Sequence, residues 1–110
     1  MDLFQLSETV YVSGQVFPTD IDELKARGFG TVICNRPDGE ESPQPTAEEM
    51  RRCVEEAGMT FFNVPFNPMN PDPNMVHDFG QALKNSEGLV LAYCRSGNRS
   101  SRLWSAATQG

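Results

Sequence analysis

Leu89-Val90-Leu91-Ala92-Tyr93-Cys94-Arg95-Ser96-Gly97-Asn98-Arg99-Ser100 is the stretch on which the reading of this chain turns. Its first five residues are almost all apolar, which predicts a central strand covered on both faces. The polar residues after it predict a tight turn, then a helix from about Arg99 that carries Leu103, Trp104 and Ala107. A cysteine between such a strand and such a helix faces a cluster of unpaired backbone N–H groups. Those donors and the helix dipole favour an anion, and for the same reason they favour the thiolate. Gly97 lets the backbone close around a ligand with no Cβ in the way. Arg99 can give two parallel hydrogen bonds to two oxygens of a phosphate, sulfate or sulfonate. Ser96 and Ser100 offer hydroxyls to the ligand or to the thiolate. Cys94 and Arg99 are therefore the expected catalytic pair, with Arg95, Ser96, Gly97, Asn98 and Ser100 around the substrate.

Outward from this stretch, strand and helix patterns alternate. Thr9-Val10-Tyr11-Val12 reads as a short first strand. Pro18-Thr19-Asp20 opens a helix to about Arg27, with Ile21, Leu24 and Val16 inward and Gly28 as its cap. A second strand covers Gly30 to Cys34, and the polar loop Asn35-Arg36-Pro37-Asp38-Gly39-Glu40-Glu41-Ser42-Pro43 follows. Thr46-Ala47-Glu48-Glu49 is a capping box for a helix running to Ala57 and ending at Gly58. Thr60 to Val64 is a third strand. Asp72-Pro73, after a proline-rich loop, reads as N-cap and first residue of a helix bearing Met75, Val76, Phe79 and Leu83. Strands separated by helical crossovers imply a three-layer α/β domain with a mainly parallel central sheet and helices on both faces. Ligands bind such sheets at the carboxyl ends of the strands, where Asn35-Arg36, the loop after Val64, and Cys94 should converge.

The bulk properties agree. A chain of 110 residues is one domain by length. No apolar run approaches the roughly 20 residues of a membrane span, and the first 14 residues lack the pattern of a secretory signal. Three widely spaced cysteines without metal-ligand spacing fit a reduced, cytoplasmic protein with neither metal nor cofactor. The net charge of −6 argues against nucleic acid or an anionic membrane as partner. Residues 88–110, however, hold Arg95, Arg99 and Arg102 and no acid, so a local +3 stands against −9 on the rest of the chain. That asymmetry points to one localised site for a small anionic substrate; arginines that merely decorate a terminal helix would give the same count.

The loop Cys94 to Ser100 resembles the active-site loop found, in variants, in cysteine-dependent phosphatases and rhodanese sulfurtransferases. Val12-Ser13-Gly14-Gln15, Asn35 to Glu41, and Tyr93 to Ser101 with Leu103-Trp104 together resemble the phosphatase-like domain of the bacterial β-lactamase-hydrolase-like proteins. The resemblance runs from residue 8 to about 105. It implies a cysteine-phosphatase-like fold of the dual-specificity type and, as a partner, a persulfide dioxygenase. Two departures bear on the chemistry. The phosphatase loop has five residues between cysteine and arginine, whereas here Arg99 arrives one residue early, as in the rhodanese loop. The resemblance also implies a proton-donating acid near Phe66 or Asn67, and neither can serve; Asp72 is the nearest acid. The favoured expectation is a sulfurtransferase that takes sulfur from thiosulfate or a persulfide through a Cys94 persulfide. The alternative is a phosphatase acting on a phosphate ester through a Cys94 phosphoenzyme, and the third reading is a non-catalytic anion-binding module.

Arg36 and Asp38 are expected to line the pocket, and a surface pair between Arg36 and a nearby glutamate is the alternative. Cys34 reads as a core residue, Cys53 as a helix residue with a role as resolving thiol for Cys94 as the alternative, and His77 as a solvated or capping side chain. Met69 and Met75 read as gap fillers.

Overall fold

In the computed structural model, which describes residues 1–109, the sheet has five strands: β1 (Phe4–Gln5), β2 (Val10–Ser13), β3 (Phe29–Cys34), β4 (Thr60–Asn63) and β5 (Leu89–Tyr93). Their order is β1-β2-β5-β3-β4. β5 lies between β2 and β3 and is parallel to both, and β4 extends the parallel set from β3. Only β1, which the sequence pattern does not reveal, runs antiparallel, pairing Phe4 with Val12 at one edge. Two exposed residues carry no periodicity that could announce it.

Helices α1 (Ile21–Ala26), α2 (Ala47–Glu56), α3 (Met75–Lys84) and α4 (Asn98–Thr108) cover the sheet. The expected helix at Pro18 starts with a 3-10 turn over Pro18–Asp20 before α1. Successive side chains of a strand point to opposite faces, and the core divides accordingly. Val32, Cys34, Leu91 and Tyr93 pack with Ile21, Leu24, Met50 and Val54 on the α1/α2 side. Ile33, Val90 and Ala92 pack with Phe79, Ala82 and Leu103 on the α3/α4 side. That division explains the unbroken apolar run of β5, which has no solvent face.

The caps behave as the pattern requires at α2, where the Glu49 N–H donates to Thr46 Oγ1 at 3.1 Å and the Thr46 N–H to Glu49 Oε1 at 3.3 Å. They differ at α3. The helix begins at Met75, not Pro73, because Asp72 uses its carboxylate on the Asn74 N–H (2.8 Å) in a turn that precedes the helix. Met69 fills no gap; it is 91% exposed at the tip of the proline-rich loop, whereas Met75 packs at the margin of the core.

The strand register sets Ser13, Cys34, Asn63 and Tyr93 side by side at the carboxyl edge of the sheet. Gly14, Asn35, Val64 and Cys94 therefore leave the sheet together. Because β5 supplies both core halves, Leu91→Ala should cost about 2–5 kcal/mol of stability, read as a lowered urea midpoint with an unchanged denaturant slope.

Candidate active site

Cys94 is fully buried, and its sulfur accepts a hydrogen bond from the Gly97 N–H at 3.0 Å. The turn reaches this geometry through Gly97, which caps α4 with a φ of 93°, a conformation that L side chains rarely adopt. A second glycine holds the turn from behind. A Cβ on Gly14 would stand 2.9 Å from the Arg95 carbonyl oxygen, so only glycine lets the β2 end approach the loop. Burial pushes the Cys94 thiol up, but the backbone N–H groups of Ser100, Ser96 and Gly97 more than offset it, and the pKa falls below that of a free thiol. Cys34, the neighbouring cysteine at the end of β3, shows the opposite result. Burial raises its pKa, and its thiol donates to the Arg36 carbonyl at 3.3 Å, so it stays a neutral core group.

Asn35 is the keystone behind the turn. Its Nδ2 donates to the Val64 carbonyl at 2.8 Å, and its Oδ1 accepts from the Ser100 hydroxyl at 2.8 Å. Ser100 lies within reach of both Cys94 and Asn35. With Nδ2 committed to Val64, Oδ1 can only accept, and a hydroxyl has one proton. In this arrangement the Ser100 hydroxyl donates to Asn35, and Ser100 acts on the Cys94 sulfur through both its N–H and its side chain. Nothing in the residue pattern around Asn35 signals this role, because the register that brings β3 beside β5 is a tertiary fact.

Beside the loop lies a groove of about 520 Å³ lined by Arg95, Ser96, Asn98, Arg99 and Arg102 of the loop and α4, with Pro68 and Glu40 opposite; Cys94 itself is buried behind this lining. Arg102 lies over the Phe66 ring at 5.4 Å. Arg99 donates through Nη1 to the Phe66 carbonyl and to Glu40 Oε2, both at 2.8 Å, and through Nη2 to Glu40 Oε1 at 2.7 Å. The hydrogen bonds from Arg99 hold the Glu40 carboxyl below the usual range, and Glu40 in turn raises the Arg99 pKa. Both are charged. Glu40 is thus a site residue that the sequence analysis passes over, since a Glu-Glu pair in a polar loop looks like solvated surface.

Arg36 takes the second of its expected places, the pair with a nearby glutamate, but the pair is buried on the Arg36 side and not at the surface. It does not line the groove; it is 2% exposed and pairs with Glu40 Oε1 (3.0 Å), Glu41 Oε1 (3.4 Å) and Gln15 Oε1 (2.9 Å). Arg95 is largely exposed and reaches Glu41 Oε2 at 3.4 Å. Asp72 belongs elsewhere, exposed in a separate cleft with Pro37, Asn67 and Asn70. His77 is exposed on α3 and Cys53 half-buried on α2, both outside the groove. Among the described residues no group of three or more potential metal ligands occurs, and no helix is long and apolar enough to cross a membrane.

A cysteine raised from a central parallel strand into a loop of N–H donors, with an arginine on the following helix, defines a cysteine-phosphatase-like domain. The comparisons give the family: residues 2–110 match the phosphatase-like domain of the Beta-lactamase hydrolase-like proteins, and the chain belongs to that family. It is 31% identical over 104 residues to the Beta-lactamase hydrolase-like protein of Agrobacterium fabrum, covering 94% of this chain but only 24% of that relative. The chain thus spans about a quarter of the curated relatives it matches. Among solved structures, a candidate phosphatase from Neisseria meningitidis superposes with a TM-score of 0.81 at 37% identity, covering 92% of this chain and 72% of that one. Another, from Shewanella putrefaciens, gives 0.83 at 24% identity, covering 96% and 66%.

Two outcomes test the site. Asn35→Ala strands the Ser100 hydroxyl and the Val64 carbonyl and should cost about 1–3 kcal/mol in thermal or urea unfolding. The rate of Cys94 alkylation by iodoacetamide should rise with pH to a midpoint below the ~8.5 of a free thiol. Since the folded pKa is the lower one, this group adds stability above the unfolded thiol's pKa and loses it as pH falls through the folded value.

Proposed function

We propose that this domain transfers sulfur: Cys94 attacks the outer sulfur of thiosulfate or a persulfide and carries it as a persulfide. A new S–S bond forms to Cys94 Sγ, the donor's own S–S bond breaks, and sulfite or a thiolate leaves with the electron pair. A second thiolate then attacks the outer sulfur and restores the Cys94 thiolate. The loop N–H groups and Arg99 hold the anionic end of the donor.

The observation that carries this reading is the ionised state of the carboxylate at the groove. An alkoxide leaves poorly unless an acid protonates it. Among the described residues the only carboxylate lining the groove is Glu40, which two arginines keep ionised, and Asp72 lies in another cleft. Sulfite and thiolates leave without that help. The six residues from Cys94 to Arg99 also make a tighter ring than the phosphatase loop.

The relatives favour a second reading, phosphate-ester hydrolysis through a Cys94 phosphoenzyme. The family is phosphatase-like by description, and the Neisseria meningitidis neighbour is named as a candidate phosphatase. Under that reading the substrates are those whose leaving oxygen needs no protonation, such as aryl esters. A persulfide dioxygenase, joined or separate, is the partner that sulfur transfer would suit.

Intact mass after brief thiosulfate exposure separates the two. Sulfur transfer predicts a gain of about 32 Da that is absent in Cys94→Ser and removed by cyanide or glutathione. No adduct, together with Cys94-dependent hydrolysis of alkyl phosphates, would establish the phosphatase reading instead.

A further inference from the structure

The least exposed charged side chain next to the groove is one the chemistry does not use. Arg36 is 2% exposed, yet it lines no part of the groove. Burying a guanidinium is costly unless its hydrogen bonds are met. Its Nε, Nη1 and Nη2 are met by Glu40, Gln15 and Glu41. Each of these glutamates then passes on to an arginine of the Cys94 loop region, Glu40 to Arg99 and Glu41 to Arg95. The two arms differ in quality. The Glu41–Arg95 contact is long, at 3.4 Å, and both side chains are half or more exposed, so it is a weak surface pair. The Glu40–Arg99 contact is bidentate at 2.7 and 2.8 Å, with the Arg99 side chain mostly buried.

The geometry of that second contact is specific. A guanidinium offers two edges for bidentate binding, the Nη1/Nη2 end and the Nε/Nη2 side. Glu40 and the Phe66 carbonyl take the end. The side edge has no protein oxygen as hydrogen-bond partner among the described residues, while the Cys94 sulfur lies close enough to raise the Arg99 pKa, and this edge is what remains to bind an anion. We infer that Glu40, anchored by the buried Arg36, is the positioning residue that fixes Arg99 by its end and so presents its Nε/Nη2 edge to the anionic substrate. Two effects oppose each other at this position. A carboxylate beside the groove repels an anionic substrate, but its charge is already offset by Arg36 and Arg99 at hydrogen-bond distance. An unclamped arginine would have to be ordered by each incoming substrate. Positioning therefore outweighs repulsion.

This role rests on Cys94 being the nucleophile of an anion site, and holds whether sulfur or phosphorus is transferred. Its test accordingly uses neither thiosulfate nor a phosphate ester. Iodoacetate and iodoacetamide alkylate the same thiolate, but only the first carries an anion for Arg99 to bind. Rates are followed by mass at the Cys94 peptide in the full chain and in Glu40→Gln, Arg99→Lys and the double variant, each first shown to unfold cooperatively. In Glu40→Gln the iodoacetate rate should fall about tenfold, the worth of one charge-assisted hydrogen bond, while the iodoacetamide rate stays within about twofold. On the Arg99→Lys background the Glu40 change should have almost no further effect, because its action runs through Arg99. Equal losses with both reagents would make Glu40 a support of the loop fold and overturn the inference. A faster iodoacetate reaction would make it an electrostatic screen and overturn it equally. A full, additive loss in the double variant would do the same. Loss of the thiosulfate adduct alone, with the alkylation pattern as expected, would count against sulfur transfer and leave the role of Glu40 intact.

Discussion

The site depends on a backbone constraint: the chain leaves a strand paired on both sides and enters a helix within four residues. While β5 runs between β2 and β3, its N–H groups are spent on neighbours. Past Tyr93 the ladder ends, the Cys94 N–H reaches back to the Ser13 carbonyl at 3.3 Å, and the next N–H groups turn inward. They have no carbonyl to satisfy them, and the sulfur stands at their focus. That one change, from paired to unpaired donors, lowers the pKa of a fully buried cysteine below that of a free thiol. Cys34 ends the adjacent strand with a similar degree of burial, yet the chain after it offers a carbonyl instead of donors, and its thiol stays neutral. The same side chain has two chemistries one strand apart.

Around this focus the structure sorts charge by depth. Arg36 is innermost, the glutamates 40 and 41 lie around it, and the arginines 95, 99 and 102 face the groove. The acidic body and basic end seen in the charge count thus meet at the site, where two acids restrain two of the arginines. A groove of three unrestrained guanidiniums would attract any anion. Here Arg99 is bound on one edge, so the shape of what it binds counts along with its charge.

Much of this was legible in the residue pattern, for reasons that differ by element. β5 and its turn are readable because double burial removes every polar residue from the strand, and because Gly97 and Arg99 follow it within six residues, where a tight turn must pass into a helix. The capping box at Thr46 is readable because its two hydrogen bonds lie within four residues. The carboxyl-edge convergence follows from alternating strands and helices. What escapes is non-local. Asn35 and Glu40 acquire their roles from Ser100 and Arg99, which are 65 and 59 positions away in the chain. Asp72 misleads because an Asp-Pro pair suits a helix start, while the turn it stabilises ends just short of one.

The wall opposite the loop has a consequence of its own. Between Val64 and Asn74 it contains four prolines, at 65, 68, 71 and 73, and its Phe66 carbonyl is one of the anchors of Arg99. Phe66, buried in the α3/α4 half of the core, fastens the segment at its start, and residues 67–74 beyond it are exposed. Each proline restricts φ before folding begins, so the disordered chain has fewer conformations to give up when the wall forms. The rigidity of this side of the groove is written largely into the unfolded ensemble. Less entropy is then lost when this surface takes its folded shape than a proline-free segment of the same length would lose.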